Sequence, residues 1–216
     1  MCGSGRRDRD SFHVKRELAL PDVPRETTLR LQAYVALLLR WNQTINLISP
    51  YEEAAVWHRH ILDSLVLQPL LPASFSHAID IGSGGGLPGL VLAIATDRPF
   101  HLIEADRRKA AFLREAARET GAPVTIHNER VERVTIPPAP VITARAAAPL
   151  AKLLQWSEQL LSAGGVCIFP KGCRAEAELT AASGHWNMRS EQFRSPTNPR
   201  ATILRISEIR CVSQHS

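Results

Sequence analysis

The sequence predicts an α/β protein: a doubly wound, mostly parallel sheet of seven strands, preceded by an N-terminal helical extension. Three observations predict it. After Ser76, short apolar runs alternate with helical segments. A glycine-rich turn, Gly82 to Gly89, joins the first of those runs to the first of those helices. Before Ser76 the apolar residues recur at helical spacing instead. A β-α-β-α-β pattern implies parallel strands linked by crossover helices on both faces. The expected division is a helical cap over residues 1–75 and a sheet domain over 76–216.

Each element has its own signal. A helix is expected over 26–42, where Leu31, Tyr34, Val35, Leu38 and Trp41 fall on one face. A second helix is expected over 52–70, with Val56, Ile61, Leu62, Leu65 and Val66 apolar, ended at Leu71-Pro72. HAIDIG reads as a strand. LPGLVLAIA reads as a helix with Pro88 in its first turn, where a missing N–H costs little. FHLIEA is the next strand, followed by an amphipathic helix over 107–119 that Gly121 ends. PVTIHN and VITARA are strands, AAPLAKLLQWSEQLL a helix and GGVCIFPKG a strand. The last two strands are expected near 185–193 and 201–209.

Composition excludes several classes. The 216 residues are 44% hydrophobic and 22% charged, which is ordinary for a globular chain and unlike a disordered one. The longest apolar stretch, Leu87 to Ala95, falls far short of the roughly 18 residues of a membrane span. No apolar targeting segment follows the polar, basic start, so a cytoplasmic protein is expected. Cys2, Cys167, Cys173 and Cys211 include no CxxC pair and read as reduced thiols. A formal charge of +5 and a pI near 9.4 favour approach to nucleic acid without establishing it.

The most informative segment is Asp80 to Gly89, DIGSGGGLPG. In an open α/β sheet, a turn at the carboxyl end of the first strand is where ligands bind. Glycines there let a ligand approach backbone N–H groups at a helix N-terminus. A phosphate-binding loop needs Lys-Ser/Thr after the last glycine, and Leu90 stands there instead. A GxGxxG dinucleotide fingerprint needs glycine at position 87, which is Leu87. Gly82, Gly84 and Gly86 form GxGxG behind an acid, Asp80, which resembles the first motif of class I S-adenosylmethionine-dependent methyltransferases. Asp80 would suit the ammonium of the methionine tail, and the helix N-terminus its carboxylate. Glu104 ends the next strand, where a carboxylate accepts hydrogen bonds from ribose hydroxyls. Asp106 is the better candidate for capping the following helix.

Further motifs narrow the resemblance. LLLRWNQTINLIS, RHILDSL (Arg59 to Leu65), IDIGSGGGLPGL, IEADRRKAAFL, ERVE (Glu129 to Glu132), TARAAAPL (Thr143 to Leu150) and FPKG (Phe169 to Gly172) occur in this order. Together they are similar to the bacterial small-subunit ribosomal RNA methyltransferase G family, also called glucose-inhibited division protein B. The resemblance spans about residues 30–172. It implies methyl transfer from S-adenosylmethionine to N7 of one guanine in the decoding region of 16S rRNA. It implies 16S rRNA or the 30S subunit as partner; the protein is expected to act as a monomer, away from membranes. By position, Gly82 and Leu87 match cofactor contacts of the family, Val131 and Glu132 match adenine-side contacts, and Arg145 matches its arginine at the cofactor site. The family's aromatic-Asp pair before strand four is replaced by Ala139-Pro140, and Pro199-Arg200 is the nearest counterpart of its C-terminal Arg-His element.

The residues suit N7 chemistry. Strand four carries Thr143-Ala144-Arg145-Ala146, not the Asn/Asp-Pro-Pro-aromatic motif of exocyclic-amine methylases. Neither Cys167 nor Cys173 follows proline as a pyrimidine-C5 nucleophile does, and Cys167 reads as an inert strand residue. Guanine N7 has an outward lone pair and no proton, so alignment and electrostatics suffice. Arg145 is the candidate for orienting cofactor and base. Lys171 is a candidate for a catalytic or RNA-phosphate contact, or else ends its strand in water. Arg59 and His60 are expected to pack the helical cap against the site, and Asp63 to pair locally. His58 and His60 have HxH spacing but no evident third ligand, so no metal is expected. RNA contacts are expected from Arg6, Arg7, Arg9, Lys15 and Arg16, and from Arg107-Arg108-Lys109. Two rivals remain: a class I methyltransferase acting on a small molecule or protein, and a binding protein that kept the cofactor site without catalysis.

Overall fold

The computed structural model describes residues 16–49 and 53–212. Strands are β1 (Arg16–Glu17), β2 (Ala78–Ile81), β3 (Phe100–Ile103), β4 (Val124–His127), β5 (Ala139–Thr143), β6 (Leu161–Lys171), β7 (Trp186–Arg194) and β8 (Thr202–Cys211). Helices are α1 (Arg25–Asn42), α2 (Glu53–Val56), α3 (Asp63–Leu65), α4 (Gly89–Thr96), α5 (Arg107–Thr120), α6 (Leu150–Leu160) and α7 (Ala175–Ser183). The sheet order is β1-β7-β8-β6-β5-β2-β3-β4, parallel except where β8 runs against β6 and β7. The sheet has eight strands where seven were expected. The addition is the two-residue β1, which lies parallel to the edge of β7 with Arg16 opposite Phe193.

The connections place the site. From β2 the chain builds outward through β3 to β4, then returns to lay β5 on the other side of β2. Between β2 and β5 the direction of winding reverses, and the crevice outside the carboxyl ends of such a strand pair is the ligand-binding position of open α/β sheets.

Two apolar cores flank the sheet. One joins Leu31, Tyr34 and Leu38 of α1 to Leu90 and Leu92 of α4 and to Phe112 and Leu113 of α5. The other joins Ile79, Ile81 and Ile142 to Leu153, Leu154 and Phe169. The first runs across residue 76, so the helical extension shares one core with the sheet. Helix α4 is apolar on every side and is buried accordingly. Helix α5 has an apolar stripe, Ala110, Phe112, Leu113 and Ala116. Asp106 caps it by accepting from the N–H groups of Arg108 (2.8 Å) and Lys109 (3.1 Å), and Gly121 ends it at φ 63°. Arg30 of α1 donates to the carbonyls of Thr120 (2.8 Å) and Gly121 (3.0 Å), binding the extension to the C-terminus of α5.

The expected single helix over 52–70 is broken. After α2 the chain makes a π-helical turn, Trp57–Leu62, then α3, then a 3-10 turn, Gln68–Leu70. Val56 and Ile61 are both fully buried and lie five residues apart, the repeat of a π turn. Helix α7 was not expected; its segment AEAELTAAS buries only Ala175, Leu179 and Ala182. Among the described residues, no helix is long and apolar enough to cross a membrane.

Candidate active site

A cleft of about 1060 Å³ opens where the switch point requires. Its floor is the backbone of Gly82, Ser83, Gly84 and Gly85, with Leu87 beside it. Its walls come from four other segments: Asn46 to Ser49 after α1; His58, Arg59, His60 and Asp63 around the π turn; Arg145 and Ala146 after β5; and Thr197 to Pro199 between β7 and β8. Lys109 stands at its edge on α5.

The glycine turn is held from three sides. Glu104, 8% exposed at the end of β3, accepts from the Gly84 N–H through Oε2 and from the Asp106 N–H through Oε1, both at 2.8 Å. The Tyr34 hydroxyl of α1 donates to the Gly85 carbonyl. Asp80 is completely buried behind the turn, where its Oδ1 accepts from Thr143 Oγ1 at 2.6 Å. Burial pushes the Asp80 carboxyl up to about 6, although the Thr143 bond works the other way. Asp80 therefore links β2 to β5 from within the sheet, and its carbonyl accepts from Ser83 Oγ of the turn at 3.1 Å. Gly84 has φ 54°, a conformation that strains other residues, and a Cβ there would meet no side chain. Gly86 faces inward; a Cβ on it would lie 2.9 Å from the Cβ of Leu90.

Arg145 is the charged centre of the cleft. Its Nη1 donates to Asp63 Oδ2 at 3.1 Å, and its Nη2 to His60 Nδ1 at 3.3 Å. Asp63 thus pairs with a residue 82 positions away rather than locally. Burial first, and then Arg145, press His60 down to about 4, so its ring is neutral at physiological pH. Because an arginine only donates, His60 Nδ1 is the acceptor of that bond.

The remaining expected residues lie elsewhere. Lys171 is not among the cleft residues: its Nζ, on a side chain 10% exposed, donates to the Ala148 carbonyl and to Glu178, each at 2.9 Å. Val131 and Glu132 form a 3-10 turn after β4. Cys167 is buried in β6, and desolvation raises its thiol to about 12, which keeps it un-nucleophilic. Arg108 donates to the Thr44 carbonyl at 2.9 Å and steadies the loop after α1. Arg16 reaches Glu191 at 3.4 Å, whereas Arg6, Arg7, Arg9 and Lys15 lie outside the described residues. Among the described residues, no cluster of His, Cys, Asp or Glu could hold a metal ion.

The family model for rRNA small subunit methyltransferase G matches residues 28–200. The chain belongs to this family. A relative named ribosomal RNA small subunit methyltransferase G from Granulibacter bethesdensis is 54% identical over 209 residues, covering 92% of this chain and 98% of the relative. One of the same name from Rhodospirillum centenum is 52% identical over 199 residues and 92% of each chain. Solved structures agree on the fold. An O-methyltransferase from Bacillus cereus in complex with SAH superposes with a TM-score of 0.56 at 16% identity, over 82% of this chain and 91% of that one. A ribosomal protein L11 methylase from Lactobacillus delbrueckii gives 0.58 at 15% identity, over 69% and 78%. The sheet is that of the class I methyltransferases.

In this chain, several site residues escaped sequence reasoning. Tyr34 was placed on the apolar face of its helix, yet its hydroxyl reaches the glycine turn. Asn42 Oδ1 accepts from the N–H groups of Leu47 (2.9 Å) and Ile48 (3.0 Å), ordering the wall that follows α1. Thr197 Oγ1 donates to Asp63 Oδ1 at 2.8 Å across 134 residues of sequence. A phenol on an otherwise apolar helix face was the one available signal; the other contacts are tertiary.

Proposed function

We propose that the protein transfers the methyl group of S-adenosylmethionine to guanine N7 in 16S rRNA, acting in the cytoplasm as a monomer on the rRNA or the 30S subunit. The observation that carries this is a bare glycine floor beside Arg145, whose neighbours His60 and Asp63 are already committed to holding it. The cofactor, when bound, supplies an electrophilic methyl on a sulfonium. The site fits it: a cleft this large lies just above the ~300–1,000 Å³ typical of small-molecule sites, with room for a nucleobase alongside.

Gly82, Gly84 and Leu87 would form the seat. Glu104 uses one lone pair on each oxygen for Gly84 and Asp106, and a carboxylate has about four such sites, leaving two for ribose hydroxyls. Val131 and Glu132, in the 3-10 turn after β4, would flank the adenine. Gly86 and Asp80 would support the seat from behind.

His60 and Asp63, the groups beside Arg145, could otherwise take a proton. His60 Nδ1 and both oxygens of Asp63 instead hold Arg145 and Thr197. That commitment suits N7, whose lone pair attacks without losing a proton. Arg145 then orients the reacting groups, and Lys171 supports the loop after β5 from outside the cleft. Arg59 and Lys109 add positive charge where phosphates would pass.

The test offers labelled S-adenosylmethionine with under-methylated 30S subunits, naked 16S rRNA and a panel of small molecules in parallel. Label recovered as N7-methylguanosine from the RNA supports the proposal. Label confined to a small molecule, or found on an exocyclic amine or a pyrimidine carbon, overturns it.

A further inference from the structure

Resting on the reading that Arg145 orients the transfer, the geometry points to Asp63 as the positioning residue that aims Arg145 and couples that aim to the wall formed by residues 195–199. One carboxylate serves two masters. Oδ2 accepts from Arg145, while Oδ1 accepts from Thr197 Oγ1 at 2.8 Å. Ser195 and Thr197 also bond each other at 2.8 Å, and the Asn198 N–H donates to Ser195 Oγ at 3.3 Å. The segment between β7 and β8 is therefore one hydrogen-bonded unit that ends on Asp63.

The Arg145–Asp63 pair is well shielded, with side chains 17% and 18% exposed. A guanidinium in such a place adopts one orientation only if its donors are matched, and Asp63 and His60 match both ends of the fork. The backbone agrees. Ala146, next to Arg145, has φ 55°, and a non-glycine residue keeps that conformation only where its surroundings impose it. Those surroundings are Asp63 before the strained residue and, after it, Lys171 on the Ala148 carbonyl and Glu178 on the Leu150 N–H at 2.7 Å. The loop carrying Arg145 is pinned on both sides, and the pin on the cleft side is shared with the 195–199 wall.

Substrate pressing on Thr197 to Pro199 would thus be felt at Arg145 through Asp63. A merely structural Asp63 predicts something different, and a double-mutant cycle separates the two. Asp63→Asn should lower kcat by about tenfold in the otherwise native protein, by less than about twofold in an Arg145→Ala background, and should leave KM for rRNA within about twofold. Equal losses in both backgrounds, or a change confined to KM, would overturn the inference.

Hydrogen exchange on the unliganded protein reads the coupling without turnover. Asp63→Asn and Thr197→Val should each speed exchange across 195–199 while β2 and β5 stay protected; protection of 195–199 unchanged in both would overturn it. Thr197→Val keeps the ion pair and decides the matter if Asp63→Asn does not fold. Should the native protein methylate no RNA at all, the substrate assignment falls, whereas the exchange result still decides the coupling.

Discussion

Replacing Tyr34 with phenylalanine removes one oxygen and tests how the helical extension serves the site. Tyr34 is fully buried, and its hydroxyl donates to the Gly85 carbonyl. Burial raises its pKa far above the usual phenol range, so the hydroxyl remains a donor at any working pH. Phenylalanine keeps the ring, which packs 6.3 Å from Phe112 by centroid, and creates almost no cavity. What is lost is a buried hydrogen bond, worth ~1–2 kcal/mol once the stranded carbonyl is counted. At roughly 2–4 °C per kcal/mol for a chain of this size, the melting temperature should fall by about 2–8 °C. If the turn must be rigid to seat its ligand, the same loss weakens S-adenosylmethionine binding by at most ~5- to 30-fold. Scanning calorimetry measures the first quantity and titration calorimetry the second. Native stability together with native affinity would refute the claim that Tyr34 holds the turn.

Three further outcomes follow from the same geometry. Gly84→Val puts a β-branched residue at φ 54° on the cleft floor; S-adenosylmethionine binding should disappear from titration calorimetry, and native affinity would refute the placement of the seat. Lys171→Met strips Glu178 of the partner that, with the Leu150 N–H, outweighs burial and holds its carboxyl below the usual range. A depressed carboxyl stabilises above its unfolded pKa and loses that contribution as pH falls, so the variant should lose ~1–3 kcal/mol in urea unfolding at pH 7 and less at pH 4. His60 binds its proton only near pH 4 when folded but near 6.5 when unfolded, so it costs stability as pH falls through that window. His60→Gln should flatten that limb relative to the native protein; buried Asp80, whose raised pKa has the opposite slope, cancels in the comparison.

What the sequence made legible is what local chemistry decides. The glycine turn, the Asp106 cap, the Gly121 stop and the apolar stripe of α1 follow from spacing and residue type, and the structure shows each. The π turn was masked because apolar residues at 56, 61, 62, 65 and 66 satisfy an approximate helical repeat; only the five-residue step from Val56 to Ile61 betrays the insertion. Helix α7 carries too few large apolar residues to announce itself. Lys171 ends a strand, as expected, but which way a strand-end lysine turns depends on Glu178, seven residues on and on another element. The pairing of Asp63 with Arg145 and Thr197 joins three distant stretches, and no spacing rule reaches across them.

The proposed function rests on the backbone between Gly82 and Leu87 seating the methyl donor while Glu104 grips its ribose. A crystal structure with S-adenosylmethionine or its demethylated product tests this most directly. The ligand should lie against Gly82 and Gly84, with both ribose hydroxyls within hydrogen-bonding distance of Glu104. Density for that ligand elsewhere, or a Glu104 carboxylate still bonded only to Gly84 and Asp106 beside a bound ribose, would contradict it.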